Sequence, residues 1–76
     1  MAFYKHAKFL SRNPHENFDL LQEPGVDAAD AGIYRCEVCG QEIGIAQTHK
    51  LPPQSHHTHA AGSGPIRWQL IVATQN

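Results

Sequence analysis

Three features of the sequence predict a small, mainly-β, metal-stapled domain: a three-stranded antiparallel sheet with an irregular N-terminal arm. The chain has 76 residues, and a domain this short buries too little surface to hold without a staple. Beyond Gly32, three short stretches alternate apolar and polar residues, the period of a strand. Two cysteines and a histidine cluster stand at the spacing of metal ligands.

Residues 1–31 read as an arm. Its apolar residues (Phe3, Tyr4, Phe9, Leu10, Phe18, Leu20, Leu21) fit the period of neither a long helix nor a long strand. The expectation is a short helix over 2–10 and a short strand or extended cover over 17–21. Pro24-Gly25 marks a turn, and residues 26–32 form a small, acidic connector. The arm is expected to pack on a second segment, residues 32–76.

In that segment Gly32–Cys36 reads as a first strand, with Ile33 and Arg35 on one side and Tyr34 and Cys36 on the other. Cys36-Glu-Val-Cys-Gly40 reads as a tight turn. Residues 41–46 read as a second strand with Ile43 and Ile45 on one face. Residues 47–65 form a loop stiffened by Pro52-Pro53. Residues 66–74 make the clearest strand: Ile66, Trp68, Leu70 and Val72 alternate with Arg67, Gln69, Ile71 and Ala73.

The chemistry lies in the turn and the loop. Two residues between Cys36 and Cys39 let the backbone curl so that both sulfurs face one centre, and Gly40 suits the next position. Sixteen residues later come His56-His57-Thr58-His59. The string C-x2-C-x16-H-x2-H proposes Cys36, Cys39, His56 and His59 as a closed Cys2His2 set for Zn²⁺. His57 with His59 is the rival pair. His6, His15 and His49 read as surface residues. A rubredoxin-type iron centre would want four thiolates, and this chain has two cysteines. A disulfide between Cys36 and Cys39 would close almost no loop and stabilise little.

Residues 32–74 resemble the rubredoxin-like zinc ribbons. The text that carries the likeness is Gly-Ile-Tyr-Arg-Cys-x-x-Cys-Gly at 32–40, Glu-Ile at 42–43 and Leu-Pro-Pro at 51–53. With Ile-Arg-Trp near the end, the pattern is similar to a group of short bacterial zinc-ribbon proteins. In the usual ribbon a second CxxC follows Leu-Pro-Pro; here His-His-Thr-His stands in its place. The resemblance implies a zinc ribbon and no particular activity.

Composition narrows the function. Six lysines and arginines against seven aspartates and glutamates give a formal charge of −1, so no strong pull toward nucleic acid or an anionic membrane follows. There is no apolar run long enough to span a bilayer and no signal-peptide pattern at the start, so the expectation is a soluble, cytoplasmic protein. A four-ligand shell leaves no open position for catalysis, so no enzyme is expected. The expected role is a protein-interaction module, with Tyr34, Arg35, Arg67 and Trp68 as candidate contact groups and Trp68 the better candidate for the core. A metal- or redox-responsive regulator and a single-stranded nucleic-acid binder are the alternatives.

Overall fold

The computed structural model describes residues 1–60 and 62–74; position 61 of the expected loop and positions 75–76 of the expected second segment lie outside the described residues. The chain folds around one antiparallel sheet of four strands: β1 (Leu21–Gln22), β2 (Gly32–Cys36), β3 (Glu42–Ile45) and β4 (Trp68–Ala73). The order across the sheet is β1-β4-β2-β3. The three expected strands are present, each within the predicted range. The expectation of three strands alone is corrected by β1, which pairs with the outer edge of β4 through Leu21↔Gln69 and Gln22↔Trp68.

The hairpin of β2 and β3 pairs Tyr34 with Ile43 and Arg35 with Glu42. Opposed residues share a face, so Tyr34, Ile43 and Ile45 line the core side, as the alternation implies. The long strand departs from the expected pattern. Tyr34 pairs with Leu70 but Ile33 pairs with Val72, so Ile71 is an extra residue in β4 and forms a bulge. Past the bulge the alternation changes face. Val72, expected beside Trp68 and Leu70, stands opposite Ile33 instead.

The core comprises Ala28, Tyr34, Cys36, Leu51, Ile66, Trp68 and Leu70, with Phe18, Ile43 and Ile45 packed against it. Tyr34 and Trp68 are fully buried. Each phenol or indole donor finds an acceptor, as buried polar tips require: the Tyr34 hydroxyl donates to the Asp30 carbonyl at 2.9 Å, and Trp68 Nε1 donates to the Pro52 carbonyl at 3.1 Å.

The arm holds single 3₁₀ turns at Ala7–Phe9 and Glu16–Phe18 rather than a helix over 2–10. No capping side chain supports the first turn, and the apolar residues around it stay out of the core: Phe3 is 99% exposed and Phe9 74%. A helix that short needs such a packed face. Further along, Gln69 Nε2 donates to the Phe18 carbonyl at 2.7 Å and Arg67 Nε meets Glu23 Oε1 at 3.2 Å. Among the described residues no helix is long and apolar enough to cross a membrane.

Candidate metal centre

The turn between β2 and β3 presents the two sulfurs. Gly40 N–H donates to the Cys36 carbonyl at 2.9 Å, and Cys36 N–H donates to the Gln41 carbonyl at 2.8 Å. These bonds curl the chain around Cys36. Gly40 adopts φ +79°, the left-handed region that glycine enters without penalty. Cys36 is buried beneath the turn, and Cys39 is exposed at its tip.

The histidines come from the loop after Leu51, which is tied at two places to β4 and the residues just before it. One is the Trp68 indole on the Pro52 carbonyl. The other is the Gln54 side-chain amide, which acts as a substitute peptide: its Oε1 accepts from Ile66 N–H at 2.9 Å and its Nε2 donates to the Ile66 carbonyl at 3.3 Å. A 3₁₀ turn at Gln54–His56 follows, and the chain then straightens, with His57 at φ −156° and ψ 166°. Extended backbone puts residues i and i+2 on the same side. His57 and His59 therefore face the sulfurs together, and His56 does not.

The structure thus brings together Cys36, Cys39, His57 and His59, whose donor atoms all lie within 4.8 Å of one another. Cys36 Sγ is 3.3 Å from His59 Nε2, and Cys39 Sγ is 3.2 Å from His57 Nε2. The two Nε2 atoms are 3.1 Å apart. Of the four residues expected from spacing, Cys36, Cys39 and His59 are in the group. His56 lies beside it, and the rival His57 takes its place. His6, His15 and His49 are exposed elsewhere. Of the candidate contact groups, Tyr34 and Trp68 are in the core, while Arg35 is exposed and Arg67 half-buried.

The donor set fits a tetrahedral ion. Bonds of about 2.0–2.1 Å to nitrogen and about 2.3 Å to sulfur space the ligand atoms roughly 3.3–3.8 Å apart, against 3.1–3.3 Å for the closest pairs here and at most 4.8 Å across the set. The hydrogen bonds of His59 agree. Its Nδ1 lies 2.9 Å from the Gly64 carbonyl. A carbonyl only accepts, so Nδ1 carries the proton and the neutral ring keeps a bare lone pair on Nε2, facing Cys36. A second-sphere carbonyl on the far nitrogen is the usual support of a metal-bound imidazole. Gly64 and Gln54 carry no ligand chemistry of their own, and no spacing in the sequence marks them.

The electrostatics favour the deprotonated sulfur. Burial pushes the Cys36 thiol up, but the amide N–H of Cys39, the His57 imidazole and the amides of Val38 and Arg67 outweigh it and bring it from 9.0 to about 6. His59 is raised: its bond to the Gly64 carbonyl favours the charged ring, partial desolvation opposes it, and Cys36 adds a hydrogen bond and a charge. A thiolate beside an imidazole with raised proton affinity is a pair that either holds a proton between them or gives it up to a metal.

Among known proteins the chain is similar to an Escherichia coli protein named Protein L, at 49% identity over 78 aligned residues that cover 97% of this chain and 88% of that one. No protein-family model matches, and no solved structure matches. Identity of that degree over nearly the whole length shows descent from one ancestor: the chain belongs to the family of Escherichia coli Protein L.

Proposed function

We propose that this protein is a small zinc-binding domain whose Cys2His2 site is structural, with Cys36, Cys39, His57 and His59 as the four ligands, and that the domain so built serves as a protein-interaction module. One observation carries the reading: two sulfurs and two imidazole nitrogens from segments far apart in sequence converge within 4.8 Å. Two thiolates and two imidazoles are a standard closed set for zinc, and closure of the shell argues against catalysis. When bound, zinc supplies folding free energy by tying the β2–β3 turn to the histidine loop. On this reading the histidine loop stands where the second knuckle of a rubredoxin-like ribbon would be.

Elemental analysis of untagged protein purified without added metal tests the site, with one zinc per chain expected. Folded protein with a stoichiometry near zero would sink it. The interaction role draws support from the surface. Phe3, Phe9, Leu10, Leu20, Leu21 and Val26, all within the first 26 residues, are exposed, and such side chains are available to a partner's apolar surface. A redox-responsive regulator is the second reading, favoured by the exposure of Cys39, since an accessible thiolate is open to oxidation by peroxide. Zinc that leaves under mild peroxide would support it, and zinc that stays would support the structural role.

A further inference from the structure

His56 is the one member of the histidine cluster that the ligand set does not use, yet its contacts are as specific as those of the ligands. Its Nδ1 lies 2.8 Å from Nδ1 of His57. Its ring stands edge-on to Trp68, with centroids 5.6 Å apart. Its backbone is fixed by the 3₁₀ turn, where His56 N–H donates to the Pro53 carbonyl at 2.9 Å.

The 2.8 Å contact has two chemical forms. If His56 donated to His57, the neutral His57 ring would carry its proton on Nε2. That nitrogen faces Cys39 Sγ at 3.2 Å and His59 Nε2 at 3.1 Å, and once protonated it could not coordinate a metal. If His57 donates through Nδ1–H, its Nε2 is bare and aimed at the common centre. The second form matches what the Gly64 carbonyl does for His59. Each imidazole of the set then ligates through Nε2 and gives its Nδ1 proton to an acceptor held in place by the fold.

We propose that His56 is a positioning residue for the metal site: its Nδ1 accepts the Nδ1–H of His57 and so fixes the tautomer and ring orientation that His57 needs as a ligand. This rests on the reading of Cys36, Cys39, His57 and His59 as the ligand set. Trp68 supports the arrangement on both sides, since the His57 ring also meets it edge-on at 5.8 Å. Loss of an outer-sphere partner of this kind typically costs 10–100-fold in metal affinity.

The experiment uses the full chain and two variants. His56→Phe keeps a flat ring against Trp68 and removes the acceptor. His56→Asn removes the ring and keeps an amide oxygen that can take the place of Nδ1. Affinity for Zn²⁺ is measured by competition with a chromophoric chelator, and coordination by the visible spectrum of the Co²⁺-loaded protein. His56→Phe is expected to bind roughly 10–100-fold more weakly, and His56→Asn close to the unmodified chain. In the zinc-loaded unmodified chain, ¹⁵N NMR should show His57 with a metal-bound Nε2 and a slowly exchanging Nδ1–H. That proton should exchange fast in His56→Phe. Equal affinity for His56→Phe and the unmodified chain overturns the proposal alone. Equal weakening in both variants also overturns it, since that is a packing effect. An unmodified chain that takes up neither metal overturns the ligand set and the proposal with it.

Discussion

At the scale of single residues, the two cysteines are unequal in setting and equal in consequence. Cys36 is part of the core and its sulfur is ringed by amide donors, whereas Cys39 is exposed at the tip of the turn. Burial alone would rate Cys39 as dispensable, because exposed substitutions away from special features usually change stability by less than about 0.5 kcal/mol. The proposed metal ligation would reverse that ranking. A structural zinc contributes roughly 10–16 kcal/mol of apparent binding free energy in small peptides, against a typical net stability of about 5–15 kcal/mol. Cys39→Ser is therefore expected to lose most of the fold. His6→Ala and His15→Ala are the controls. His6 makes an exposed edge contact with Phe9, and the His15 side chain accepts a bond from Asn17 N–H at 3.1 Å; losing such a cap costs about 1 kcal/mol. Circular dichroism and proton NMR of the three variants check this. A well-dispersed spectrum for Cys39→Ser would count against the site.

At the scale of elements, the seam between β2 and β4 leaves no room for a side chain at Gly32. Gly32 begins β2 opposite Ala73, and a Cβ built there would fall 2.0 Å from the Val72 carbonyl oxygen. That atom is backbone and cannot turn aside, so the ladder would have to part. Gly44, in edge strand β3, has nothing within 4 Å of such a Cβ. Gly32→Ala should destabilise by at least ~2 kcal/mol, while Gly44→Ala should be neutral or stabilise by about 0.4–1 kcal/mol through the unfolded chain; urea midpoints of the zinc-loaded proteins check both. The same seam shows which elements sequence can reveal. β2, β3 and the first half of β4 carry a two-residue period and were legible from it. β1 has two residues, too few for any period, and exists because Gln69 and Trp68 offer it an edge. The bulge at Ile71 is a matter of pairing rather than of residue type, so the run from Ile66 to Ala73 gives no sign of it. The cysteine half of the site was legible because a CxxC turn is built locally. The histidine half depends on whether the backbone coils or extends after Pro53. An equal two-residue gap favoured His56, but the extended chain at His57 makes the nearer alternation the effective one.

At the scale of the whole molecule, the question is whether the sheet stands without its metal. Among the described residues seven are buried and apolar, and one of them is the proposed ligand Cys36. A core this small contributes only a few kcal/mol after conformational entropy is met, so metal binding and folding should be one equilibrium. Its pH dependence has a definite sign. The Cys36 thiol is lowered from 9.0 to about 6, so its contribution is present above 9.0 and lost as pH falls through about 6. His59 without metal is raised, so its contribution runs the other way, present below about 6.5 and lost as pH rises. Zinc removes that opposition, because it binds only the neutral ring and thereby lowers the folded proton affinity of both histidines and both thiols. All four ligands then favour the folded state at higher pH, and acid should unfold the loaded protein. Well below pH 6.5 the unfolded chain holds two thiol and two imidazole protons, so unfolding releases one zinc and takes up about four ligand protons. Mass action then requires the midpoint of acid unfolding to fall by about 0.25 pH unit for each tenfold rise in free zinc. Acid titrations followed by circular dichroism at several buffered zinc concentrations measure that slope. A value near one third would mean three protonating ligands rather than four. A midpoint indifferent to zinc would mean that the sheet folds on its core alone, and that the four converging donors are not what holds it together.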